Sequence, residues 1–323
     1  IGEFVPAIKF LPNNSSPITL ETEILPSEKE KQIKLPHTLS ATLARLLGYL
    51  TSEGYFYSGR TYEVRFSNKD EMLIKDVQHI CKELFGLNPT VTVSKYGVKT
   101  LRYLSKKLYD FIKHNFPEIV RKFSERRIPK QILSGSADIA REFLKGLFLS
   151  DGSIDSYSIT FKTSSKGLAE DYQDLLLKIG VSSSIIRDKK GYYRVRILSD
   201  SLERFTKNII PKNSRLYPKA LKLVRRSLNA LGSHDVFPPD VGENLIKLMK
   251  SVGLNYRGQF DQHLKNYYGI TRKTLIKGVR EIWNKIKHDV NKIKKVKDLR
   301  ELRALIGYSQ QRLASCIGLN RSS

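Results

Sequence analysis

The chain has 323 residues, 40% of them hydrophobic and 28% charged, which suits two or three folded domains and excludes a disordered chain. Lys and Arg number 57 against 32 Asp and Glu, and a formal charge of +25 favours a polyanionic partner, nucleic acid foremost. No run approaches the ~18 apolar residues of a membrane span, and Cys81 and Cys316 lack the paired spacing of a disulfide framework or thiolate metal site.

Residues 1–36 read as an extended arm, because Pro12, Pro17, Pro26 and Pro36 interrupt a polar stretch that cannot hold a long helix. From there the pattern becomes compact and runs twice. The first copy, residues 37–134, opens on a helical stripe of Leu43, Leu46, Leu47 and Leu50. "TYEVRFSN" then alternates as a strand, with Tyr62, Val64 and Phe66 on one face and Glu63, Arg65 and Ser67 on the other. A helix ("EMLIKDVQHICKELFG"), a hairpin ("TVTVSKYGVKTLRYL"), a helix near 105–115 and "RIPKQIL" complete it.

The second copy, residues 135–232, keeps the order. "AREFLKGLFLSDG" leads into "SYSITFKTS", with Tyr157, Ile159 and Phe161 on one face and Ser158, Thr160 and Lys162 on the other. A helix, the hairpin "SSIIRDKKGYYRVRIL", a helix near 200–208 and "LYPKALK" follow. The two copies align Gly48 with Gly146, Ser52 with Ser150, Glu53 with Asp151, and Gly54 with Gly152. A unit of this length is one α/β domain rather than a solenoid repeat, so the expectation is two similar domains in tandem about a pseudo-twofold axis.

Each copy's first helix therefore ends in acid and glycine. Gly48 and Gly146 would let two helix backbones approach face to face, and Gly54 and Gly152 suit a left-handed helix stop. A carboxylate in the last turn faces the negative end of the helix dipole, an unfavourable placement worth on the order of 0.3–1 kcal/mol. Two such acids brought together would also repel. A divalent cation resolves both conflicts. Hard oxygen ligands with room for water and phosphate describe Mg²⁺, with Mn²⁺ as a substitute, and the chemistry they suit is metal-assisted phosphodiester hydrolysis.

"LLGYLTSEG" and "LKGLFLSDG" resemble the paired signature motifs of single-chain LAGLIDADG homing endonucleases, above all the archaeal and intein-encoded kind. The resemblance covers about residues 36–230 and implies an α+β fold: tandem αββαββα repeats whose antiparallel strands form a saddle over double-stranded DNA. It implies that Glu53 and Asp151 bind the catalytic metals, Glu53 standing where Asp is commoner. The family also uses a basic residue late in each half; the best matches are Lys130 and Lys219, each after the matched proline. The implied activity is a Mg²⁺-dependent double-strand break in a long, near-asymmetric target, by a monomer in the cytoplasm, associated with the nucleoid through DNA. A non-cleaving regulator of transcription and an intron RNA maturase use the same scaffold and stay open. Self-splicing is not expected, since Ile1 is neither Cys nor Ser.

A twisted ribbon reads base edges with alternate side chains. The polar faces offer Arg65 and Ser67 in the first repeat and Thr160, Lys162, Arg194 and Arg196 in the second, while Arg187, Lys189 and Lys190 crowd the second hairpin. Residues 233–323 form a separate basic, helical DNA-binding domain. Its end, "IGYSQQRLASCIGLNRSS", is similar to a helix-turn-helix, with Arg312 and Arg321 as DNA contacts.

Overall fold

In a computed structural model of the chain, the structure describes residues 16–23, 33–229, 236–237, 239–254 and 270–295, with 297–298, 300–301, 307, 309 and 311. These fall into two compact units, one within residues 6–230 and one after 230. The helix-turn-helix reading at the end, with Arg312 and Arg321, lies outside the described residues.

In the first repeat, α1 (Ala41–Glu53) starts at Ser40, whose hydroxyl accepts from Leu43 N–H. Its leucine stripe is buried, as the spacing requires. β1 (Gly54–Ser58) follows without a loop, then β2 (Tyr62–Asn68), and α2 (Glu71–Phe85) capped by Asp70. α2 ends at Gly86, whose φ of 71° is the left-handed stop that glycine allows. β3 (Thr90–Val93), β4 (Lys99–Leu104), α3 (Lys106–Asn115), α4 (Pro117–Val120) and α5 (Lys130–Ser134) complete the repeat. The second runs α6 (Ala137–Asp151), β5 (Gly152–Ile154), β6 (Ile159–Thr163), α7 (Lys166–Lys178), β7 (Ser183–Arg187), β8 (Tyr193–Ile197), α8 (Leu202–Ile209) and α9 (Tyr217–Asn229).

Each repeat builds one four-stranded antiparallel sheet, ordered β1-β2-β4-β3 and β5-β6-β8-β7. One register governs both: Gly54 pairs with Phe66, and Gly152 with Phe161. Val64, Phe66, Leu101 and Tyr103 bury one sheet face; Ile159, Phe161, Val195 and Ile197 do so in the other, all in a single core shared by both repeats. The two α+β repeats are thus the architecture the doubled pattern predicts.

Three local expectations change. The arm is docked where it is described: Leu20 N–H donates to His37 O (2.8 Å), Leu39 N–H to Ile18 O (2.9 Å), and Leu20 is buried in the core. Asn115 exchanges two 2.9 Å hydrogen bonds with the backbone of Glu21. Apolar Ile18 and Leu20 drive this docking, which the prolines concealed. Tyr157 does not join Ile159 and Phe161 on the core face; residues 155–158 turn around the Asp155 carboxylate, leaving Tyr157 83% exposed. Thr160 is buried, although it shares its polar face with Arg196, directly across the ladder.

The second unit joins β9 (Val236–Phe237) to β10 (Ile270–Thr271), with α10 (Pro239–Ser251) and α11 (Arg272–Ile293) packed around Leu245, Met249 and Ile270. Gly278 lets α11 approach Leu245 closely; a Cβ there would lie 2.7 Å from Leu245 Cδ2. The basic run of the sequence is largely this one long helix.

Candidate active site

α1 and α6 meet at the two glycines. A Cβ on Gly48 would overlap Phe143 O and reach 2.8 Å from Leu147 N; one on Gly146 would overlap Arg45 O and reach 3.0 Å from Tyr49 N. Any side chain at either position would force the helices apart. Leu43, Leu47 and Leu50 of α1 and Phe143, Leu144 and Leu147 of α6 are all buried in the one core that surrounds the seam. Arg45 clamps it with an ion pair to Glu142 (3.2 Å). One turn beyond the glycines, the Ser52 and Ser150 hydroxyls hydrogen-bond to each other across the interface. The next residues are Glu53 and Asp151, the last of each helix.

The two acids hold their protons more tightly than isolated carboxyls do. Burial first, then repulsion from Asp151, raises the Glu53 pKa from 4.5 to about 7, against an opposing pull from Arg126. Burial raises Asp151 from 3.8 to about 6. Asp151 is exposed as a residue, yet it lines a cleft of about 290 Å³ with Thr51, Ser52, Arg126, Lys162 and Tyr192, so the direction follows from the walls around its carboxyl. A cleft with both halves of the chain in its wall contains one of the acids, and the other feels its charge.

The glycines after the acids are not left-handed, contrary to expectation. Gly54 has φ −78° and Gly152 φ −74°, because each helix passes straight into an extended strand. What demands glycine is space. A Cβ on Gly54 would overlap Leu50 O, and one on Gly152 would overlap the Phe148 ring.

Two carboxylates fit a hard divalent cation that keeps several waters and completes its shell with phosphate oxygens. Among the described residues no group of three or more His, Cys, Asp or Glu surrounds a point, so a closed all-protein cage of such ligands is excluded there.

The basic residues fall out less simply. Lys130 is exposed as the first residue of α5; Lys219 is exposed on α9 and lines a different cleft, with Asp155, Ser156, Lys222 and Arg226. The cation acting on Glu53 is Arg126, which sequence reasoning missed. Strand register supplies another missed residue. Phe66 and Phe161 are equivalent, so Lys69 occupies in the first repeat the position from which Ser164 lines the cleft beside Asp151 in the second. The alternation of "FSNKD" and "FKTSS" carried that signal, had the strands been aligned on their glycine partners.

Of the expected DNA-contacting residues, Arg65 is held by Glu63 (2.5 Å) and Ser67 by Thr100 (2.8 Å). Glu63 also takes two bonds from Arg102, which lies opposite Arg65 and joins the same polar face. Lys162 pairs with Asp188 (2.9 Å) and sits over the Tyr192 ring. Arg187, Lys189, Lys190, Arg194 and Arg196 are all exposed on or beside the second hairpin. Buried Thr160 presents little surface to any partner.

The LAGLIDADG-like domain family matches the chain twice, over residues 40–115 and 138–210. A DNA polymerase of Thermococcus aggregans is 32% identical over 187 residues, which is 52% of this chain and 10% of that protein. The replication factor C small subunit of Methanocaldococcus jannaschii is 30% identical over 191 residues, 57% of this chain and 10% of that one. The chain thus spans about a tenth of the length of these curated relatives. Among solved structures, I-DmoI in complex with DNA and manganese aligns at 22% identity and TM-score 0.43 over 54% of this chain and 98% of its own.

Proposed function

Because the chain belongs to the LAGLIDADG-like family through both of its repeats, we propose that it is a sequence-specific endonuclease that cuts double-stranded DNA by divalent-metal-dependent hydrolysis. The observation that carries this reading is the meeting of two acids from two halves of one chain, close enough that Asp151 raises the proton affinity of Glu53. Two carboxylates that repel one another in a shared seam suit a hard divalent cation, which would offset both charges.

In this mechanism Glu53 and Asp151 hold the metals, Mg²⁺ with Mn²⁺ as substitute. Such ions, when bound, polarise a scissile phosphate and lower the pKa of the attacking water. The Ser52–Ser150 bond and the glycine seam keep the two carboxyls in register. Lys162 at the cleft wall, with Lys69 at the first-repeat position that matches Ser164, supplies positive charge where the phosphodiester gathers negative charge. Lys130 and Lys219 act farther out, on the backbone that flanks the cut. The sheet faces bearing Arg65, Ser67, Lys162, Arg194 and Arg196 enter the groove, and Arg187, Lys189 and Lys190 grip phosphates. The two faces differ residue by residue, so the target is long and not palindromic, and one monomer suffices.

The relatives support a mobile origin. A piece amounting to 10% of a DNA polymerase in one organism and 10% of a replication factor C small subunit in another follows no host function. That is the distribution of an insert such as an intein-borne nuclease.

The test is cleavage of a random duplex library in Mg²⁺, with Glu53→Gln and Asp151→Asn as controls. Each substitution is expected to lower cleavage by about 10³-fold or more while leaving DNA binding within a few-fold. A wild-type chain that binds a selected sequence tightly and leaves it uncut in Mg²⁺ and Mn²⁺ overturns the nuclease reading in favour of a non-cleaving regulator.

A further inference from the structure

Among the described residues Arg126 is the most deeply buried arginine, and the hydrogen bonds it makes all go to neutral carbonyls. Only 3% of it is exposed. Its guanidinium donates to Leu50 O (3.2 Å), Thr51 O (2.7 Å) and Gly54 O (2.7 Å), and its Nε to Arg121 O (3.2 Å). The Phe123 ring lies 3.8 Å from it and the Phe56 ring 6.0 Å. Sealing a cation among neutral carbonyls and rings is costly unless a negative potential stands nearby.

That potential is the end of α1. Leu50 and Thr51 carry last-turn carbonyls, the negative pole of the helix dipole, and Glu53 adds a carboxylate to the same turn. Arg126 also lines the cleft that contains Asp151. Counted from the matched prolines Pro129 and Pro218, Arg215 stands in the second repeat where Arg126 stands in the first, but Arg215 is exposed and ion-paired to Asp70. The buried cation at the shared cleft is thus supplied by one repeat, and it acts on Glu53.

We infer that Arg126 is a positioning residue and resident counter-cation: it fixes the end of α1 under Glu53 and competes electrostatically with the divalent metals of the seam. This inference rests on the metal-dependent reading above. By offsetting the acids it holds the site together without metal, and it keeps metal affinity low until a DNA phosphate adds further negative charge and further ligands.

The experiment reads metal binding without catalysis. Thermal unfolding of the full chain, without DNA and at fixed ionic strength, is followed against Mn²⁺ and separately Ca²⁺ for wild type, Arg126→Lys and Arg126→Met. Arg126→Gln replaces Arg126→Met if the latter does not fold, since it keeps two donors and drops the charge. Both substitutions lower metal-free stability, because the α1 carbonyls lose donors. The expected signature is a split. The neutral variant reaches half-maximal stabilisation at about tenfold less metal than wild type, the order of effect expected from removing one unit charge beside the acids that would hold the ion, in partly solvated surroundings. Arg126→Lys stays close to the wild-type midpoint. Equal midpoints in all three chains overturn the inference and leave the nuclease reading standing. Wild type with no metal-dependent stabilisation at all overturns both.

Discussion

At Glu53 burial and Asp151 both act against ionisation, and each raised pKa has a stability consequence. A carboxyl whose folded pKa exceeds its unfolded one favours the fold at low pH and loses that contribution as pH rises through the folded value. For Glu53 the window runs from 4.5 to about 7, and for Asp151 from 3.8 to about 6. Without metal, Glu53→Gln should therefore stabilise the chain at pH 8 by about 1 kcal/mol, the full shift being reduced because solvent reaches the group. Denaturant unfolding in a chelating buffer measures this, and under the proposed function the same substitution should remove cleavage, so that the site would give up stability for chemistry. Glu63 has the opposite sign. Arg102 and then Arg65 pull its pKa from 4.5 down to about 2. The stability it contributes is present above 4.5 and is lost as pH falls toward 2. Glu63→Gln should flatten the acid limb of a pH–stability profile over that window, and should free Arg65 and Arg102 to move.

Among the elements, the contact between α1 and α6 is the least tolerant of change. Gly48→Ala or Gly146→Ala would place a methyl group against a backbone carbonyl of the facing helix, where nothing flexible can yield. The helices must separate, the Ser52–Ser150 bond breaks, and the acids shift apart. The expected cost is about 3 kcal/mol or more for either substitution, read from denaturant unfolding, with cleavage lost even where the fold survives. A second device joins the repeats. Arg127 forks onto Asp171 of α7 with bonds of 2.6 and 2.7 Å, and Ile128 N–H donates to the same carboxylate (3.0 Å). In the other half Arg215 reaches Asp70 at the start of α2 (3.0 Å). Asp171 is buried and Arg215 exposed, so Asp171→Asn should destabilise by about 2–4 kcal/mol and Arg215→Ala by less than about 1 kcal/mol.

For the whole molecule the formal charge of +25 would make the proposed DNA binding strongly salt-dependent. Two cations are already engaged: exposed Lys162 with Asp188, and half-buried Lys285 with Asp289. The number of released counterions is therefore expected to fall well short of the cation count. Replacing Lys189 and Lys190 together with Ala should flatten the slope of log affinity against log salt by about two and leave the selected sequence unchanged. Among the described residues no helix is long and apolar enough to cross a membrane.

The doubled "GxxxSEG/SDG" pattern was enough to place the repeats, the helix seam, the strand alternation and the pair of acids, because each depends on local periodicity and on glycine where two backbones touch. Arg126 and Lys69 were invisible in that reading. Their importance comes from a loop folding back beneath α1, and from a strand register that equates Phe66 with Phe161. The arm around Leu20 and the burial of Thr160 were hidden for the same reason. Helices and strands follow from neighbours a few residues away in the chain. Which cation stands under a carboxylate depends on residues some seventy positions apart (|i−j| of 72 to 76 for Arg126 and the end of α1), and only the packed chain brings them together.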